Sequence, residues 1–161
     1  MPPKLEFAKK TTILKAVINC IFRDLQGREE MMTKVEEWTG PLDWTLKNRK
    51  NQCILHWPFN MTLRSHEVIQ GFEWLLNVPG VSQMINLQDK DGNTPFHVFL
   101  NLVIRYGTNY AEFDIKVNIA RKFISSGADI HLKNDDKWTC LDLLYYSIPT
   151  ELRNAILAPS V

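Results

Sequence analysis

Cys53 and His56 stand three residues apart, a spacing at which a thiol and an imidazole can share one helix face. Such a pair is the minimum for thiolate chemistry, so a cysteine-dependent enzyme or redox sensor is one function the chain could serve. That chemistry also requires an orienting third group and an oxyanion site, and the sequence offers no candidate for either. His97, His66 and His131 have no Cys, His or carboxylate partners at close spacing, so no metal and no cofactor are expected. Glu29-Glu30, Glu36-Glu37 and Asp135-Asp136 are adjacent pairs, which on a helix point to different sides and read as solvated surface. The seven glycines are scattered and form no phosphate-binding loop. Nothing in this inventory assembles a catalytic constellation, and a non-enzymatic chain is expected.

The chain has 161 residues, 45% of them hydrophobic and 23% charged, enough for one domain with a core. Net charge is +1, which gives no broad electrostatic pull toward nucleic acid. The basic run Lys47, Arg49 and Lys50 with the early Lys4, Lys9 and Lys10 keeps nucleic-acid binding as a lesser alternative. No apolar run approaches the ~20 residues that span a bilayer, so no membrane insertion is expected. The start MPPKLEFAKK lacks a small-residue cleavage site and carries Glu6, so no secretory signal is expected. Three widely spaced cysteines, Cys20, Cys53 and Cys140, read as reduced thiols of a cytoplasmic protein.

The elements that position these residues emerge from INLQDKDGNTPFHVF, residues 85–99. Asp89-Lys90-Asp91-Gly92 is turn chemistry, with Gly92 supplying a positive φ. Thr94 and Pro95 start a helix as cap and first residue, and His97 falls in its first turn. The same signal occurs three times. Asn48, Asn51, Cys53 and His56 of WTLKNRKNQCILHW align with Asp89, Gly92, Thr94 and His97. Asn134, Lys137, Thr139 and Asp142 of IHLKNDDKWTCLDL align with them again. Helical stripes lie between the copies: Ile13 to Leu25, Met31 to Trp38, Val68 to Leu76, Val117 to Ile124 and Leu152 to Leu157. Ser65 is a candidate cap for the third stripe, and Gly127 a left-handed stop for the fourth. Turn, helix, helix in succession is the pattern of a repeat protein.

DKDGNTPFHVF resembles the ankyrin repeat's Asp-x-x-Gly-x-Thr-Pro-Leu-His-x-Ala, and FISSGADIHLKN is similar to that family's helix end and turn. The resemblance covers roughly residues 30–157. It implies an all-α solenoid of stacked helix pairs in one domain: a degenerate cap over 4–43, a repeat over 44–84, a second over 85–129 and a last over 130–161. The copies depart from the family period of ~33 residues, because His56 and His97 are 41 positions apart and His97 and Asp142 are 45. The excess is expected in MTLRS and VPGVSQ, and in an insertion at about 103–115 between two helices. Pro58, at a small-residue position, is expected to shorten or bend the first helix of its copy.

What the resemblance implies for function is recognition of another protein by a monomer, as in adaptors, inhibitors or host-targeting effectors. Turn tips and first helices would carry it: Arg49, Lys50, Gln52, Lys90, Asp91, Asn93, Asp135, Asp136 and Trp138, with Asn60, Met61, Asn101, Leu102, Tyr146 and Ser147 behind them. Trp57 and Trp138 are the expected aromatic anchors, while Trp74 reads as core and Trp38 and Trp44 as cover for the first junction. Within the same resemblance His56 and His97 bond neighbouring backbone, and Cys53, Gly92, Thr94, Pro95, Gly127 and Thr139 are structural positions. The tips run from basic Arg49-Lys50 to acidic Asp135-Asp136, so a partner with a complementary dipolar face is expected.

Overall fold

The computed structural model of the chain describes residues 10, 12–17, 27–57, 67–107 and 109–159. Among them the secondary structure is helical: α1 (residues 12–17), α2 (Arg28–Thr39), α3 (Glu67–Leu76), α4 (Pro95–Tyr106), α5 (Tyr110–Ser125), α6 (Cys140–Tyr146) and α7 (Thr150–Leu157). Single 3-10 turns occur at Ile54–His56 and Ser82–Met84, and an isolated antiparallel bridge joins Lys133 and Thr139. Two rows of elements result. The Ile54–His56 turn packs on α4 and α4 on α6, while α3 packs on α5 and α5 on α7. Contacts of α4 with α5 and of α6 with α7 tie the rows together.

The core between the rows is aromatic. Phe123 on α5 is its hub, with ring centroids 4.7 Å from Phe72, 5.0 Å from Phe96 and 5.8 Å from Phe99. All four rings are fully buried, each worth roughly 2–3 kcal/mol in apolar transfer. Leu75, Leu100, Ile119, Leu144, Leu152 and Ile156 continue this layer toward the carboxyl end. Trp74 is half-buried, its ring edge-on to Trp44 at 5.6 Å, and both pack against the core. The side chain of Trp38 lies outside the described residues.

Residues 103–115, where the insertion is expected, form the end of α4, a short turn and the start of α5. α4 runs on to Tyr106, Gly107 turns the chain at φ 66°, and α5 starts at Tyr110 under an Asn109 cap that accepts the Glu112 N–H at 3.0 Å. Lys116, buried, donates to the Gly107 carbonyl and to Glu112 at 2.8 Å, so one ammonium ties the end of α4 to the first turn of α5. VPGVSQ is anchored by buried Val78 and Val81, turns at Gly80 (φ 82°) and runs into the Ser82–Met84 3-10 turn. In the first copy the helix start is one 3-10 turn ending at Trp57; Ser65, MTLRS and the consequence of Pro58 lie outside the described residues. α5 stops at Gly127 (φ 90°), where Gly127 N–H donates to Ile124 and Ala128 N–H to Phe123, a Schellman closure.

The three turns adopt one conformation. Asn51, Gly92 and Lys137, the aligned positions, have φ of 58°, 73° and 70°. Only Gly92 meets the next turn so closely that a Cβ would lie 2.8 Å from the Asp135 backbone nitrogen. Gly92→Ala therefore combines left-handed strain with a backbone clash and should cost about 2–3 kcal/mol. Gly127→Ala, at φ 90° in the Schellman closure with nothing within 4 Å, should cost about 1 kcal/mol. Urea denaturation of both variants checks this, and equal losses would remove the close approach as a constraint.

Candidate interaction edge

Each turn is built by one Asn or Asp side chain. Asp89 Oδ1 accepts the N–H groups of Asp91 (3.0 Å) and Asn93 (2.9 Å). Asn48 Oδ1 does the same for Lys50 and Gln52, and Asn134 Oδ1 accepts from Trp138. The main chain then closes the turn: Gly92 N–H donates to Asp89 O, Asn51 to Asn48 O, and Lys137 to Asn134 O. An acceptor two residues before the N–H it holds is the short reach that suits Asx side chains here.

Successive turns are joined at three levels. At the tips, Lys90 N–H donates to Lys50 O at 2.9 Å and Asp135 N–H to Asp91 O at 3.1 Å. Beneath them, Gln52 Nε2 donates to Asp89 at 3.2 Å and Asn134 Nδ2 to Asn93 Oδ1 at 3.0 Å. Deepest are the histidines. The Thr94 N–H donates to His97 Nδ1 at 3.2 Å, while the Thr94 hydroxyl accepts the His97 N–H. With Nδ1 an acceptor, the ring proton belongs on Nε2, which lies 3.1 Å from the Trp138 carbonyl in the next copy. His56 repeats the arrangement, with Nδ1 accepting the Cys53 N–H at 3.1 Å and Nε2 3.1 Å from the Asn93 carbonyl. In the last copy Asp142 accepts the Thr139 N–H at 2.9 Å and its hydroxyl at 2.8 Å, and among the described residues makes no bond to another copy.

Burial pushes both imidazoles below the ordinary histidine value; Asp89 and the carbonyl bonds oppose this more weakly. Burial also pushes the Cys53 thiol up to about 11 and Cys140 to about 12. Cys53 Sγ lies 3.3 Å from His56 Nδ1, but that nitrogen already holds the Cys53 amide. A thiol displaced upward lacks the activation that nucleophilic chemistry at neutral pH needs. Among the described residues no group of three or more His, Cys, Asp or Glu is placed to hold a metal.

The expected contact residues divide by what the turns leave over. Arg49, Lys50, Lys90, Asp91, Asp135 and Asp136 are exposed, and their side chains make no hydrogen bond or ion pair among the described residues. Gln52 and Asn93 are half-buried and committed to the turn-to-turn bonds. Trp138 is 41% exposed and its ring meets Tyr146, itself 78% exposed, edge-on at 6.2 Å. Asn101 is exposed on α4, and Ser147 is exposed just beyond α6. Trp57 is a correction: at 6% exposure it packs inward, with Lys15 Nζ 5.2 Å from its ring centroid, and cannot serve as a surface anchor. Asn60 and Met61 lie outside the described residues. Sequence reasoning missed Lys116, the one buried lysine among the described residues; its signal was Glu112 four residues before it. No family model matches the chain, and no curated protein does. Among the described residues no helix is long and apolar enough to cross a membrane.

Because the native imidazoles are neutral and held below their usual value of 6.5, the unfolded chain binds more protons in acid. The stability they contribute is present above about 6.5 and lost as pH falls through their lower folded values. His56→Gln with His97→Gln keeps an acceptor for each cap amide without a titrating group. Between pH 7.5 and 5.0 the parent should lose at least about 1 kcal/mol more than this double variant, by urea denaturation. Parallel pH dependences would refute the neutral relay.

Proposed function

We propose that the chain is an ankyrin-type stack of helix pairs that binds a protein partner through its turn edge, as an adaptor or inhibitor in the cytoplasm. The observation that carries this reading is the division of labour in the turns. Main chain and the inner Asn, Gln, Asp89 and His side chains make the bonds between copies, so among the described residues the six tip side chains Arg49, Lys50, Lys90, Asp91, Asp135 and Asp136 are left exposed and unpaired. A row of exposed, uncommitted charges on a hydrogen-bonded frame suits recognition, because the frame loses little entropy when a partner docks. The row runs from basic to acidic, which favours a partner segment of opposite polarity over a uniformly charged polymer such as nucleic acid. The raised thiols of Cys53 and Cys140 support a binding module over a cysteine enzyme or redox sensor.

Trp138 provides the test, since its backbone serves the frame while its ring stands outside. Its N–H and C=O make the structural bonds, and an alanine keeps both. Trp138→Ala should weaken partner binding about tenfold or more while changing stability by less than about 1 kcal/mol. Asp135→Lys with Asp136→Lys should chiefly slow association, less so as salt rises. The measurement is affinity capture from lysate, then surface plasmon resonance on the captured protein at two salt concentrations with melting curves alongside. Capture indifferent to all three substitutions in folded protein would sink the edge as the binding surface.

A further inference from the structure

The last turn and the end of α6 carry a feature that the other copies lack. Trp138 and Tyr146 meet edge-on with their ring planes 80° apart and both remain exposed, so the pair presents aromatic surface to solvent. Other rings in the chain are covered by its own cations: Arg153 sits 4.9 Å from the Tyr145 centroid and Lys15 5.2 Å from that of Trp57. Among the described residues no such cation covers the Trp138–Tyr146 pair. Asp135 and Asp136, three and two residues before Trp138, carry carboxylates without an ion pair among the described residues, and Lys137 between them and the indole pairs with neither.

We propose that this corner seats an arginine side chain from a basic segment of the partner, a deepening that rests on the interaction reading above. The aromatic faces present negative quadrupole to a cation, and a planar guanidinium can stack on indole while donating in a fork to a carboxylate. A lysine ammonium matches only the charge. An acidic segment would meet two uncompensated carboxylates, and an aliphatic one would leave them without partners. The charge gradient along the edge fixes the direction: the basic part of the segment lies at the Asp135 end, with acidic groups toward Arg49 and Lys50.

The test uses the full chain and three peptides that alternate glycine with arginine, lysine or glutamate. Proton–nitrogen NMR follows the Trp138 indole, assigned with Trp138→Phe, and intrinsic fluorescence gives affinities. The arginine peptide should shift that indole saturably and bind more tightly than the lysine peptide, and the glutamate peptide should leave it unmoved. Tyr146→Ala, and separately Asp135→Asn with Asp136→Asn, should each weaken arginine-peptide binding about fivefold, near 1 kcal/mol. Arg49→Ala with Lys50→Ala should not weaken it. An unmoved indole, an equal response to the glutamate peptide, or indifference to Tyr146→Ala in protein of unchanged melting temperature would overturn the proposal. Partner capture that still depends on Trp138 would then retain the edge as a binding surface without the cation, whereas loss of both would end both readings.

Discussion

Everything along the turn edge depends on an imidazole that must satisfy two opposite demands. Nδ1 has to accept, because the cap amide of its own helix points at it, and this forces the proton onto Nε2. Nε2 then has to find an acceptor, and the carbonyl before the next copy's cap lies 3.1 Å away in both instances. A carboxylate or carboxamide could fill the first role, but a carboxylate cannot donate and a carboxamide reaches less far. The cost is that the ring must be buried and neutral, so the stack carries its own sensitivity to acid.

That same bond explains why the edge can present variable side chains. The Trp138 carbonyl accepts from His97 and from the Asn134 N–H, and the Asn93 carbonyl from His56 and the Asp89 N–H. The histidine bond uses only the main chain of these residues, so it sets no side chain: Gln52 and Asn93 commit theirs to bonds between turns, whereas Trp138 sends its ring outward. Frame and surface are thereby decoupled at the level of single residues. The decoupling fails at Gly92, where the close approach of Asp135 leaves no room for a Cβ.

The sequence carried the turn register down to the residue. Asn51 and Lys137, neither of them glycine, were aligned with Gly92 and do take positive φ. Caps at Thr94 and Thr139 and the stop at Gly127 were readable because each is a local bond between neighbours in the chain. What was not readable depended on distant partners. The insertion placed at about 103–115 carried no helix boundary with it, but Asn109 followed three residues later by Glu112 is a helix start, and Lys116 four residues on completes it. Trp57 could be placed on the first helix but not on its inner side, since inward packing is decided by neighbours such as Lys15 far away in sequence. At the candidate site, the tip positions were legible from the register, whereas the commitment of Gln52 and Asn93 to cross-turn bonds was not.

Asp142, standing where the other copies have histidine, shows what the histidine is for. The carboxylate caps Thr139 as well as an imidazole would, through two bonds of 2.8–2.9 Å, at a helix start more exposed than the other two. If the histidines served only their own helices, aspartate would do in all three copies, and the desolvation of two imidazoles would be an unnecessary cost. The substitution occurs in the copy whose helix makes no further turn-to-turn bond among the described residues. Histidine is found where a helix must hold both itself and its neighbour, and aspartate where it holds only itself. The difference assigns the imidazoles to cohesion between copies, and it leaves the acidic, aromatic corner formed by Asp135, Asp136, Trp138 and Tyr146 facing outward rather than into another turn.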